Sequence, residues 1–125
     1  MPFELKTSSG IVNLVWDTWA MLQFAYLNSR KKDKEGNPIP ITVNELMEIY
    51  SSDNLTLKHI VTLLQAGADS AGTKVDEKTA CKWVDECGGL SSTNSQILSY
   101  IQYTIREMLP RIPEDNKPQE EEKKS

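Results

Sequence analysis

At 125 residues, with 38% hydrophobic and 26% charged residues, the chain has the length and make-up of one globular domain, neither disordered nor membrane-like. Its formal net charge of −4 argues against a general nucleic-acid binder, which needs a basic face. No stretch approaches the roughly 20 apolar residues of a bilayer span, and Met1-Pro2-Phe3-Glu4-Leu5-Lys6 lacks the basic start and apolar run of a signal peptide, so a cytoplasmic protein is expected.

Residues 3–16 read as a β-hairpin. Phe3 and Leu5 alternate with Glu4 and Lys6, and Val12, Leu14 and Trp16 alternate with Asn13 and Val15. The turn cluster Thr7-Ser8-Ser9-Gly10 lies between them, with Gly10 able to take a positive φ. A lone hairpin is marginal in water, so this one must lean on helices. Asp17 or Thr18 can cap the next helix, which runs to about Asn28. It is apolar on nearly every face, Gln23 being the one interruption between Trp19 and Leu27. Such a helix is either central in the core or shows one side to a partner.

Residues 30–40 are polar and carry Gly36, Asn37, Pro38 and Pro40, so a solvated loop is expected, its basic residues diluted by Asp33 and Glu35. Thr42-Val43-Asn44-Glu45 has the pattern of a capping box, opening a short helix over 43–50 with Val43, Leu46, Met47 and Tyr50 on one face. Ser51-Ser52-Asp53-Asn54 ends it and is expected to cap a third helix over 55–71. There Leu57, Ile60, Val61, Leu64 and Ala68 repeat with helical period until Gly72. Gly67 inside that helix costs roughly 1 kcal/mol against alanine, so it marks close helix packing. A fourth helix over 76–87 aligns Ala80, Trp83, Val84 and Cys87 and stops at Gly88-Gly89. The last opens near Ser91 or Ser92 and stripes Ile97, Leu98, Ile101, Ile105, Met108 and Leu109 before Pro110 and Pro113.

The fold class expected is therefore mainly α: an N-terminal β-hairpin packed on about five helices, over residues 1–111, with a disordered acidic C-terminal tail over 112–125. Cys81 and Cys87, six residues apart, would have α-carbons roughly 9 Å apart on a straight helix, so they are read as free thiols. With His59 the only histidine, no metal site is expected and no cofactor. Catalysis needs converging groups, and none is foreseen. Asp85 and Glu86 are adjacent on a helix and diverge by about 100°. Residues 42–65 have the outline of a helix-turn-helix, but the would-be reading helix offers Lys58 and His59 and no arginine, beside Glu45 and Glu48. Trp16, Trp19 and Trp83 read first as core. The surplus apolar surface of the first helix is the best partner-binding candidate, and the residues singled out on it are Trp19, Met21, Phe24 and Ala25.

The order of these elements resembles the tail assembly chaperones of long-tailed bacteriophages. It runs from the hairpin into Trp19-Ala20-Met21-Leu22-Gln23-Phe24, then Ile41-Thr42-Val43-Asn44-Glu45-Leu46. Ile60-Val61-Thr62-Leu63-Leu64-Gln65-Ala66-Gly67-Ala68 and Cys81-Lys82-Trp83-Val84-Asp85-Glu86-Cys87-Gly88-Gly89 follow. The likeness spans about residues 3–109 and is one of order and spacing, so it transfers no binding residue; the basic loop at 30–40 is an elaboration on it. It implies a non-enzymatic protein of the host bacterial cytoplasm, absent from the finished virion. Such a protein binds and solubilises the tape measure protein and helps recruit tail tube subunits, with no nucleic-acid or membrane partner. Self-association is compatible with it. A head–tail connector subunit and a helix-turn-helix regulator are the alternatives. The resemblance also implies a ribosomal slip near the end of the gene that appends a second domain. Lys123-Lys124 after Glu120-Glu121-Glu122 suits an A-rich run, although an ordinary solubilising terminus accounts for the same residues.

Overall fold

A computed structural model describes residues 1–51, 55–90 and 95–108. Strands β1 (Phe3–Thr7) and β2 (Gly10–Leu14) form the antiparallel hairpin, with Phe3 opposite Leu14 and Leu5 opposite Val12. Helix α1 (Thr18–Leu27) follows. A second, two-residue-stranded hairpin comes next, β3 (Lys31–Lys32) and β4 (Pro38–Ile39), then α2 (Val43–Ser51), α3 (Leu57–Ser70), α4 (Glu77–Glu86) and α5 (Gln96–Met108). The described residues are thus mainly helical, as the periodicity indicates.

Helix α3 is the axis of the fold. Its residues from Val61 to Ala68 are buried without interruption, so neighbours cover every side of it. Small side chains make this possible. Gly67 O accepts from Val15 N at 3.0 Å, which brings the chain just after β2 onto the helix. On a flank of the same residue Tyr100 of α5 donates its hydroxyl to Leu63 O at 2.9 Å. A Cβ at Gly67 would lie 2.0 Å from that hydroxyl oxygen and 3.2 Å from Leu14 Cβ. The expected close approach is therefore real. Polar groups inside the packing are largely paired: Thr62 donates to Lys58 O at 2.6 Å and accepts from Asn28 Nδ2 at 2.9 Å, and Gln65 Nε2 donates to Val75 O at 3.2 Å.

The hairpin leans on helices, as its size requires. Leu5, Leu14 and Trp16 are buried, and the Trp16 ring meets Phe24 edge-on at 6.0 Å. Gln96 closes the outer edge of β1: its Oε1 accepts from Lys6 N and its Nε2 donates to Lys6 O, both at 2.7 Å. This side-chain amide imitates one rung of a sheet ladder and protects an otherwise open edge. The turn is pinned from the other side, Ser8 N to Glu86 O and Ser9 Oγ to Glu86 Oε1, each at 3.1 Å.

Several details depart from the sequence reading. Residues 30–40 are not merely loop: Asp33 Oδ1 accepts from Glu35 N and Asn37 N at 2.9 Å and organises the β3–β4 turn, whose strands are too short to carry a periodicity. Thr42 accepts from Glu45 N at 3.1 Å, but Glu45 pairs with Arg30 rather than reaching back, so only half of the capping box forms. The cap of α3 is Thr56, not the 51–54 cluster. Thr56 Oγ1 accepts from His59 N and His59 Nδ1 accepts from Thr56 N, both at 3.1 Å, a reciprocal box with histidine in the place usually held by glutamate. Leu57 is consequently 67% exposed, not part of the core stripe.

Helix α5 begins at Gln96, with Ser95 Oγ accepting from Ile97 N at 3.1 Å. It buries Ile97, Tyr100, Tyr103 and Thr104, leaving Leu98 47% exposed. Of the expected aliphatic stripe Ile97 is in the core and Ile101 and Met108 pack against it, and the tyrosines join them because each hydroxyl finds an acceptor: Leu63 O for Tyr100, and Met1 O at 2.8 Å for Tyr103. Residues 52–54, 91–94 and 109–125 lie outside the described residues, and with them Ser91, Ser92, Leu109, Pro110, Pro113 and the expected tail.

The buried hydroxyls carry a pH dependence. Tyr50 donates to Thr104 at 3.0 Å, and burial holds its phenol far above the ordinary range, an effect the bond to Thr104 only partly offsets. Burial does the same at Tyr100, with Tyr50 and Tyr103 adding to it. Burial also raises Tyr103. A raised phenol favours the neutral form in the folded state, so its stabilisation is intact below the unfolded value near pH 10 and is lost as pH rises above it. Thermal melts should therefore fall steeply above roughly pH 10. Tyr50→Phe should lessen that slope while leaving the melt at neutral pH within a few degrees. An unaltered alkaline slope would mean that Tyr50 titrates as a free phenol.

Candidate partner-binding face

Helix α1 starts where Asp17 Oδ1 accepts from Ala20 N at 3.0 Å, and the same oxygen accepts from Ser70 Oγ at 2.6 Å, tying its start to the end of α3. It stops at Asn28, whose backbone N–H donates to Phe24 O at 3.1 Å and whose Nδ2 also reaches that oxygen at 2.9 Å. Thr62 anchors the same Nδ2 to α3, so α1 and α3 lie antiparallel and are clamped at both ends.

Between the clamps the two sides of α1 differ. Ala20, Phe24 and Ala25 face the core, Phe24 fully buried with its ring 6.1 Å from that of His59. Trp19, Leu22 and Tyr26 face out and are 52%, 40% and 40% exposed, with Leu27 beside them at 37%. The spacing of Trp19, Leu22 and Tyr26 (i, i+3, i+7) puts them in one row. Trp19 is steadied by its Nε1, which donates to Asp69 Oδ1 at 3.3 Å. No charge interrupts the segment from 18 to 29.

This arrangement corrects the candidate set. Trp19 is on the exposed row. Met21 is half-buried against the core. Phe24 and Ala25 are core residues that a partner cannot reach without opening the α1–α3 packing. Leu22 and Tyr26 take their place. An all-apolar helix gives no hydrophobic contrast from which to tell its faces apart. The usable signal was Gln23, the one polar residue: Trp19 is four before it, Tyr26 three after and Leu27 four after, all on its side of the helix.

The groups considered for chemistry have structural tasks. His59 caps α3. Glu86 holds the hairpin turn. Helix α3, the reading helix of the helix-turn-helix outline, is buried at eight successive positions and has no face free along its middle. Among the described residues no three metal-ligating side chains converge, and no helix is long and apolar enough to cross a membrane. Cys81 is exposed and Cys87 half-buried, both free. Burial pushes the Cys87 thiol up, while backbone hydrogen bonding partly opposes this. Cys81 stands on the wall of an open cleft of 390 Å³ between α3 and α4, whose other lining includes Leu57, Ile60, Val84 and Leu90. No family model, no curated protein and no solved structure matches the chain.

Proposed function

We propose that this chain is a tail assembly chaperone of a long-tailed bacteriophage, holding the tape measure protein in solution through the exposed row of α1. The observation that carries the reading is that row: Trp19, Leu22 and Tyr26 stand exposed on a helix with no charge from residue 18 to 29. Aromatic side chains are the residues most enriched at the centres of protein interfaces. A tape measure is long and helical and carries an apolar stripe that nothing covers before the tube surrounds it. Helix-against-helix docking would shield such a stripe at i, i+3 and i+7 anchors. The element order noted above is what favours this partner, and the exposed row is what favours this surface.

Co-expression tests it. The candidate partner is the protein of the very long coding region expected immediately downstream. That protein should be soluble when produced with this chain and aggregate when produced alone or with Leu22→Lys. A partner equally soluble in all three cases would remove the proposal. Purified virions provide a second check, because a chaperone is absent from them by mass spectrometry and a connector subunit is present.

A further inference from the structure

We infer that the free chain pairs with a second copy of itself through α1, the two helices running antiparallel about a twofold axis near Leu22. The row reads aromatic, aliphatic, aromatic along the helix. Reversing one copy sets Trp19 against the partner's Tyr26 and brings the two Leu22 side chains together at the axis. A twofold interface needs such a self-complementary patch.

Charge selects the orientation. At the Trp19 end stand Asp17, exposed, and Asp69, half-buried; at the Tyr26 end the chain continues into the exposed Lys31, Lys32 and Lys34, which Asp33 and Glu35 dilute without reversing, while Arg30 is already paired with Glu45. Antiparallel copies bring the acidic end of each helix to the basic end of the other, and parallel copies oppose like charges at both ends. Exposed pairs of this kind add little affinity but fix register and direction. The two helix dipoles are also opposed favourably only in the antiparallel arrangement.

The patch is small. Three or four side chains on a ten-residue helix fall short of the roughly 800 Å² per partner of a standard interface. The dimer is therefore weak and exchangeable, forming as concentration rises and yielding the same row to a partner that buries more surface. Pairing does not depend on the phage partner proposed above.

Sedimentation equilibrium of the full chain over micromolar to millimolar concentrations tests the inference. The mean mass should climb from 14.1 kDa toward twice that value. Leu22→Lys should weaken pairing about tenfold or more, since both copies lose a leucine that is partly buried already and each brings a charge to the axis, and Tyr26→Lys should act in the same direction. Lys31→Glu with Lys32→Glu, both exposed, should weaken it too and remove its salt dependence. In a Cys81→Ser background, Leu22→Cys should be joined between copies by a short bis-maleimide, and Leu98→Cys on the exposed side of α5 should not. A constant mass of 14.1 kDa overturns the inference, as does a dimer indifferent to Leu22→Lys or one joined as readily through position 98 as through position 22. A chain that solubilises its partner yet stays monomeric keeps the proposed function and removes the dimer; a dimer without chaperone activity does the reverse.

Discussion

Replacing Gly67 by alanine is expected to destabilise the protein by about 2–4 kcal/mol, although the same change in an ordinary helix interior stabilises by roughly 1 kcal/mol. The new methyl would sit 2.0 Å from Tyr100 Oη and 3.2 Å from Leu14 Cβ, so it has no room on either side. Tyr100 cannot swing aside. It is 1% exposed, and its ring lies 5.3 Å from that of Phe3 and stacks on Tyr103 at 5.9 Å. The methyl pushes α5 off α3 and with it the hydroxyl off its bond to Leu63 O inside the core, so both costs are incurred. Overpacking costs about 1–3 kcal/mol and an orphaned buried hydroxyl a similar amount; the helix-propensity gain offsets about 1. For a domain of this size the melting temperature should drop by roughly 10–20 °C. Tyr100→Phe removes the atom in conflict, so the double variant should lose clearly less than the sum of the two single changes. A Gly67→Ala protein that melts above the parent would show that the α3–α5 contact is looser than described.

That glycine was readable in the sequence as a place of close approach because it breaks a propensity rule inside an otherwise strong helical repeat. What it approaches was not. Tyr100 and Tyr103 look polar in a one-dimensional pattern, and the stripe drawn through Leu98 and Ile105 missed them. Their burial depends on carbonyls of Leu63 and Met1, far away in the chain, which no local window reveals. The cap of α3 was missed for a related reason. Ser, Asp and Asn at 52–54 outrank Thr56 by type, and histidine is not a usual third residue of a capping box, yet the pair of bonds between Thr56 and His59 closes there.

Which helix is central was left open by the sequence. The first helix is the more uniformly apolar in sequence, but α3 is the one enclosed, because Thr62, Ala66, Gly67 and Ala68 let neighbours approach on every side. Thr62 and Gln65 hide their polarity in bonds to Lys58 O and Val75 O. Size, more than hydrophobicity, decided which helix became the axis. The helix with the large side chains was left at the surface with four of them, Trp19, Leu22, Tyr26 and Leu27, turned outward.

The sharpest separation should appear between two positions only two residues apart on α1. Phe24→Ala is expected to cost about 3–5 kcal/mol, the range for truncating a buried aromatic ring. Phe24 is fully enclosed, edge-on to Trp16 and close to His59, so the hole would open between the hairpin, α1 and the start of α3. Against a total stability of about 5–15 kcal/mol, that is a loss on the order of 15 °C in the melt or more. Leu22→Lys places its charge on a side chain that is 40% exposed and reaches water at once, so the melt should stay within a few degrees. Ala25→Lys belongs with Phe24. It is 6% exposed, so a lysine there would have to push apart the packing that covers this side of α1. Partner solubilisation measured on the same proteins at a temperature where all are folded should invert the order, with Leu22→Lys impaired and Phe24→Ala close to the parent. If Phe24→Ala lost solubilisation while fully folded and Leu22→Lys did not, the partner would have to reach the inner side of α1, and the exposed row would not be the binding surface.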